Sequence, residues 1–177
     1  MDYRMLAPDT VLDETDHTIL GLLQEDARIS MKQIAAAVNL SPSSVYSRVK
    51  QLRDAGVILG VHAEVDPDAL GVGLEALFLI ELTKHKRATV DDFLAYTMTL
   101  PEVRAAYLIT GRHDLVVHVC VHDTAELKDL ALDHFTSRPA VTRIETAIIF
   151  ESHRQYRLPR QGRAGRRERG GPAPSGA

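Results

Sequence analysis

The chain has 177 residues, 45% hydrophobic and 25% charged, with a net charge of −3, which suits one ordinary globular domain or two small ones. No apolar run approaches the roughly 20 residues of a membrane span, and Met1–Asp9 lacks a basic region followed by an apolar core, so no anchor or secretory signal is expected. A single cysteine, Cys120, excludes an intrachain disulfide and a thiolate zinc cluster, and a cytoplasmic protein is expected.

Charge is unevenly placed. Six arginines stand against Glu168 between Arg157 and Ala177, which leaves the rest of the chain acidic. Any nucleic-acid contact must therefore come from a local basic patch.

Residues 1–11 show no sustained periodicity and are expected to form an arm. From Leu12 the sequence predicts three short helices. The first carries Ile19, Leu20, Leu22 and Leu23 on one face, with Asp13 or Thr15 as its N-cap. Ser30-x-x-Gln33 reads as a capping box opening the second, whose inner face is Ile34, Ala35 and Val38. Asn39 suits the left-handed residue that ends it.

The third helix starts at Ser41-Pro42, a capping hydroxyl followed by a proline whose missing N–H costs nothing there. Val45, Val49 and Leu52 form its apolar side, and Gly56 stops it. At about 100° per residue, the opposite side carries Ser43, Ser47 and Lys50, edged by Ser44 and Gln51. Arg48 and Arg53 flank the apolar side, and no acid occurs between Ser41 and Arg53. Residues 12–56 thus read as a helix-turn-helix domain whose third helix enters the major groove of double-stranded DNA. The short Ser43, Ser44 and Ser47 permit close approach, and with Ser41 they bring hydroxyls and first-turn N–H groups toward phosphates. Lys50 and Gln51 are expected to reach base edges, and Arg48 and Arg53 to hold the backbone.

Val57–Val65 alternates apolar and polar residues, which predicts a strand within a linker over 57–73. Beyond it, Leu74–Leu82, Val103–Ile109, Leu115–Val121 and Val141–Phe150 read as strands. One helix with Val90, Phe93, Leu94 and Met98 on its face lies between the first two. Another, capped by Asp123 and packed through Leu127, Leu130, Ala131 and Phe135, precedes the last. Cys120 falls in an apolar strand run and is expected to be core. The βαββαβ order over residues 74–152 predicts a ferredoxin-like sheet with both helices on one face, making the whole chain α+β. Phe78, Ile80, Leu82, Leu108, Val117 and Val119 exceed what one helical layer covers, so a homodimer is expected to bury the other face. Residues 153–177, rich in Arg, Gly and Pro, are expected to form a disordered tail, either a solubilising extension or a source of sequence-independent DNA affinity.

Leu12-Asp13-x-x-Asp16-x-x-Ile19-Leu20, Ala27-Arg28-Ile29-Ser30, Leu40-Ser41 and Val45-x-x-Arg48-Val49-x-x-Leu52-x-x-x-Gly56-Val57-Ile58 resemble the leucine-responsive/asparagine-regulator (Lrp/AsnC) family of transcription factors. The likeness continues through Gly60, Asp66-Pro67, Leu100-Pro101-x-Val103, Thr110-Gly111-x-x-Asp114 and Pro139-x-Val141. It implies a winged or plain helix-turn-helix joined to a ferredoxin-like effector (RAM-type) domain. It also implies dimers that assemble into tetramers, octamers or rings, and a small effector, usually an amino acid, held between dimers. Carried over, Gly111 lets the loop turn and offers backbone groups to the zwitterion. Asp114 meets its ammonium or orients the loop, and Leu108 lines the pocket. Arg112-His113 and Pro139-Ala140-Val141 depart from the usual residues of that region, so the ligand itself is open. His113 would make effector binding pH-sensitive.

His113, His118 and His122 show no metal-ligand spacing, so packing or interface roles are expected, without metal or cofactor. Tetrapyrrole (sirohaem-type) decarboxylases resemble the same family, and Arg112 with His113 would suit carboxylate binding there. A DNA-facing third helix favours the regulator.

Overall fold

The computed structural model describes residues 11–83 and 87–158. The expected arm, save Val11, and the expected tail beyond residue 158 lie outside these. Helices α1 (Glu14–Glu25), α2 (Met31–Val38) and α3 (Pro42–Asp54) come first, then β1 (Leu74–Leu82), α4 (Arg87–Thr97), β2 (Val103–Leu108), β3 (Leu115–Val121), α5 (Thr124–Leu130) and β4 (Val141–Ile148). They fall into two compact units, one spanning His62–His153 and the other holding the three helices.

The helix ends follow their local chemistry. Asp13 caps α1 and exchanges hydrogen bonds with Asp16 in a capping box, as Ser30 and Gln33 do for α2. Asn39 takes φ 54° and ψ 46°, the left-handed turn that a short polar side chain tolerates. Gly56, at φ 71°, closes α3 in a Schellman motif. Its N–H donates to Arg53 O at 2.9 Å, and the Val57 N–H donates to Leu52 O at 2.8 Å. Ile19, Ile34, Ala35, Val45, Val49 and Leu52 make the core of this head, with Val57 and Ile58 packed against it.

No strand forms over 57–65. Beyond Ile58 the chain is irregular, and Leu59, Val61 and Val65 are exposed. Alternation alone makes no strand, because the backbone N–H and C=O groups need a neighbouring ladder. Among the described residues of this chain nothing supplies one to this segment.

The sheet order is β2-β3-β1-β4, all pairs antiparallel, so the first and last strands of the βαββαβ order do not simply follow the chain. Both helices lie on one face over Ala76, Phe78, Ile80, Leu115, Val117, Val119 and Val121, all fully buried. This reverses the grounds for expecting a second chain. Phe78, Ile80, Val117 and Val119 face the helices, since strand parity puts them on the same side, and they need no further cover. Leu82 packs at the edge of that core, and Leu108 is 61% exposed. The face without helices presents Glu75, Leu77, Leu79 and Glu81 from β1 and Val116 and His118 from β3, alternating with the buried set.

Helix α4 buries Phe93 and Thr97, with Leu94 and Tyr96 packed beside them. Met98, expected on this face, is 49% exposed because the helix has ended. After α5 the helix widens into a π-helical segment, Ala131–Thr136, where the Ser137 N–H reaches back five residues to Leu132 O at 3.1 Å. In an unbroken α-helix, His134 would sit one turn beyond Leu130. The inserted residue gives that inward place to Phe135, which is fully buried. His134 instead meets the Tyr96 hydroxyl through Nδ1 at 2.6 Å, and Arg138 lies 3.6 Å above the Tyr96 ring.

Candidate nucleic-acid interface and effector region

The start of α3 is a cluster of hydroxyls. Ser41 Oγ accepts from the Ser44 N–H at 3.1 Å and lies 2.9 and 2.8 Å from the Ser43 and Ser44 Oγ atoms. Ser43, Ser44, Ser47, Lys50, Gln51 and Arg53 are exposed while Val45, Val49 and Leu52 anchor the back. The helix therefore shows solvent the surface its sequence periodicity implied. Its first-turn N–H groups and positive dipole end share that side with the serines.

Lys50 Nζ lies 2.7 Å from Asp54 Oδ2, an exposed pair one turn apart. Asp54 holds the ammonium's pKa above its ordinary value. Solvent screens such an exposed pair, which leaves the ammonium able to exchange Asp54 for a phosphate. Asp54 lies on the front of α3 by helical period, so the helix's C-terminal end repels phosphate where its N-terminal end attracts it. Tyr46 is 63% exposed and lies on this front, three residues after Ser43 and four before Lys50. Sequence reading passed over it because Val45 and Val49 drew attention to the apolar spacing. The available signal was its place one residue off that spacing.

Arg48, expected to hold the DNA backbone, has ion-pair partners within the head. Its Nη1 lies 2.7 Å from Asp13 Oδ2 and 2.8 Å from Asp16 Oδ1, and it is only one-third exposed. Those two carboxylates are the capping box of α1, so Arg48 braces α3 against the start of the first helix. Arg48→Ala should accordingly leave the salt slope of DNA binding near its wild-type value, while a phosphate-contacting lysine lowers it by about 0.9 when removed. Titrations of a labelled duplex at several salt concentrations check this.

The same brace predicts acid lability of the head. The Asp16 backbone N–H, and then the Arg48 side chain, hold the Asp13 carboxyl below its ordinary value of 3.8. A depressed folded value means the contribution is fully present above 3.8 and is lost as pH falls through the lower folded value. Helical signal from the head should decline in that acid window. Asp13→Asn, which still caps, should flatten the decline, as circular dichroism against pH would record.

The loop between β2 and β3 runs from Ile109 to Asp114. Gly111 sits at φ 129° with open space where a Cβ would be, so glycine serves the backbone turn here. Asp114 Oδ2 accepts from the Leu82 N–H at 2.7 Å, and the Asp114 N–H donates to Ile80 O at 2.9 Å. The β1–β4 register shifts between Glu81 and Leu82, so Asp114 serves a donor at that irregularity. Of the two roles the resemblance offered Asp114, the contacts favour orienting the loop.

Arg112 is 61% exposed and meets Glu81 at 3.4 Å and Glu145 at 2.9 Å, and Arg143 meets Glu145 at 3.0 Å. His113 lies 3.6 Å from Glu145, and its Nε2 is buried without a hydrogen-bond partner. Gly111, Arg112, His113 and Asp114 thus share one loop, beside a four-residue charge network that strand positions 81, 143 and 145 complete. Glu81, Arg143 and Glu145 were missed because no local spacing links them. Leu108 stands at the strand end leading into the loop. His122, two positions past Cys120, turns its Nδ1 to Gly71 O at 2.5 Å, a packing role. His118 pairs with Glu75 at 2.5 Å.

Residues 153–158 carry no regular structure but are not wholly unattached. Arg157 Nη1 lies 2.5 Å from Glu25 Oε1, and the Leu158 N–H donates to Gln24 Oε1 at 2.6 Å, both on α1. That part of the segment expected to be disordered is held against the head.

Comparisons with known proteins agree with this division. Residues 12–58 match the family described as winged helix-turn-helix DNA-binding, and residues 75–159 match the Lrp/AsnC ligand binding domain. The chain is 34% identical over 140 residues to the HTH-type transcriptional regulator AldR of Mycolicibacterium smegmatis, covering 79% of this chain and 82% of that protein. It is 34% identical over 145 residues to the transcriptional regulator AzlB of Bacillus subtilis, covering 82% and 92%. A transcriptional regulator of Neisseria meningitidis, solved in complex with L-Met, superposes with a TM-score of 0.76 at 31% identity, covering 84% and 97%.

Proposed function

Because this chain belongs to the Lrp/AsnC family of DNA-binding transcriptional regulators and carries its ligand-binding domain, we propose that a homodimer reads promoter DNA through α3 and responds to an amino acid. The relatives are named transcriptional regulators and the chain has their DNA-binding domain, so it is a regulator rather than an enzyme, and the decarboxylase reading has no support. Its place of action is with the DNA in the cytoplasm.

The observation that carries the reading is the exposed front of α3 from Ser43 to Gln51, a stretch without an acid. Ser43, Ser44 and Ser47 let the helix approach. Lys50, Gln51 and Tyr46 reach the bases or the adjacent backbone, and Arg53 holds a phosphate at the flank. Ser41 keeps the first turn in shape. Fluorescence anisotropy with a duplex covering the protein's own upstream region tests it. Binding should weaken steeply with salt, and no binding in dilute buffer would refute the proposal.

The effector is read at the Gly111–Asp114 loop. Arg112 supplies a guanidinium for the carboxylate and Glu81 or Glu145 an acceptor for the ammonium, while Leu108 offers an apolar wall and Asp114 keeps the loop in register. The buried, unpartnered His113 Nε2 offers a further polar contact beside the loop. Support for an amino acid comes from the Neisseria relative, whose complex holds L-Met. Thermal shifts with each amino acid, followed by DNA binding with any hit, test this. A full panel without a shift would refute it.

The dimer is proposed through the helix-free sheet face, where Leu77, Leu79 and Val116 are only half-buried and Tyr107 is 55% exposed. Assembly beyond the dimer, up to octamers, would follow from effector-dependent contacts between dimers. Sedimentation showing a stable monomer at micromolar concentration would exclude the dimer.

A further inference from the structure

We propose that Glu75, His118 and Cys120 form a binding site for a divalent transition-metal ion of the zinc class on the helix-free face of the sheet. Glu75 on β1 stands directly opposite Cys120 on β3, and His118 precedes Cys120 by two residues on the same face. One ligand atom from each lies within 4.8 Å of the other two. His118 Nε2 and Glu75 Oε2 are 2.5 Å apart, with their side chains 13% and 15% exposed, and Cys120 is buried.

The donor set decides the metal class. A thiolate, an imidazole and a carboxylate are ligands of zinc, and the soft sulfur disfavours magnesium and calcium. Three protein donors leave one tetrahedral position outside the triad. Two antiparallel strands hold the donors, so binding needs side-chain adjustment rather than backbone rearrangement. A second His–carboxylate group joins Glu81 and Glu145 of the same sheet to His113 of the β2–β3 loop. There Arg112 and Arg143 already balance the two carboxylates, so a cation gains little. Linear spacing could not show the triad, because Glu75 is more than forty residues from its partners.

Binding requires the Cys120 proton and any Nε2 proton of His118 to leave for solvent, so affinity should fall with acid. The chain's single cysteine makes the test unambiguous. Reduced full-length protein is dialysed against cobalt(II) chloride and its absorption is recorded. We expect one cobalt per chain, a thiolate-to-cobalt charge-transfer band in the near ultraviolet and a raised unfolding temperature. Glu75→Gln and His118→Gln should keep the fold, by circular dichroism, and weaken cobalt binding at least tenfold. Wild-type protein without the band overturns the proposal. A band with wild-type affinity in both of these variants also overturns it, because Cys120 would then bind without this triad.

Discussion

Lys50→Ala is expected to lower affinity for a regulated promoter about a hundredfold. A side chain in contact with a base edge contributes about 1–3 kcal/mol, and a loss of about 1.4 kcal/mol within that range is tenfold per helix. A dimer places two copies of α3 on the duplex, and well-separated losses add in free energy, multiplying to about two powers of ten. The exposed ion pair with Asp54 must be given up to reach DNA, so removing Lys50 leaves little disturbed in the free protein. Titration of the variant against a promoter duplex at several salt concentrations reads both affinity and mechanism. A salt slope lower by about 0.9 per lost contact marks a phosphate. An unchanged slope with altered base preference marks a base edge. Affinity equal to wild type at every salt concentration would take Lys50 out of the interface.

Phe135→Ala is expected to destabilise the ferredoxin-like domain by about 3–5 kcal/mol. Phe135 is fully buried. Its ring meets Phe78 edge-on at 5.1 Å between centroids and Phe93 at 6.1 Å, joining β1, α4 and the π-helical segment. The loss is a large share of a total stability of roughly 5–15 kcal/mol. The head has its own buried cluster, so its unfolding transition should remain near the wild-type temperature. Calorimetry should therefore show one early transition and one nearly unmoved. DNA affinity should fall toward that of a single head as the dimerising domain fails. Phe135→Leu, which keeps most of the volume, should cost less than about 1.5 kcal/mol. Equal effects of the two substitutions would mean that the aromatic cluster does not organise this core.

The sequence by itself determined the helix ends and the faces of the first three helices, which depend on neighbours along the chain. Asp13, Ser30 and Ser41 cap helices because each side chain reaches an N–H three residues on, and Asn39 and Gly56 end helices because they tolerate positive φ. The front of α3 was legible for the same reason, since helical period fixes which residues lie opposite Val45, Val49 and Leu52. What only the tertiary structure decided are pairings between distant segments. Helical period places Arg48 beside the apolar side of α3, and only the packing of α1 brings Asp13 and Asp16 against it. The Val57–Val65 alternation looked like a strand, but a strand needs a partner backbone that local sequence cannot supply. Phe78 and Val117 were read as needing a second chain, because parity says which residues share a sheet face but not which face the helices cover. The charge network around Arg112 and the triad at Cys120 form only when β1 lies beside its neighbours, and the register of that pairing is set by the packed core.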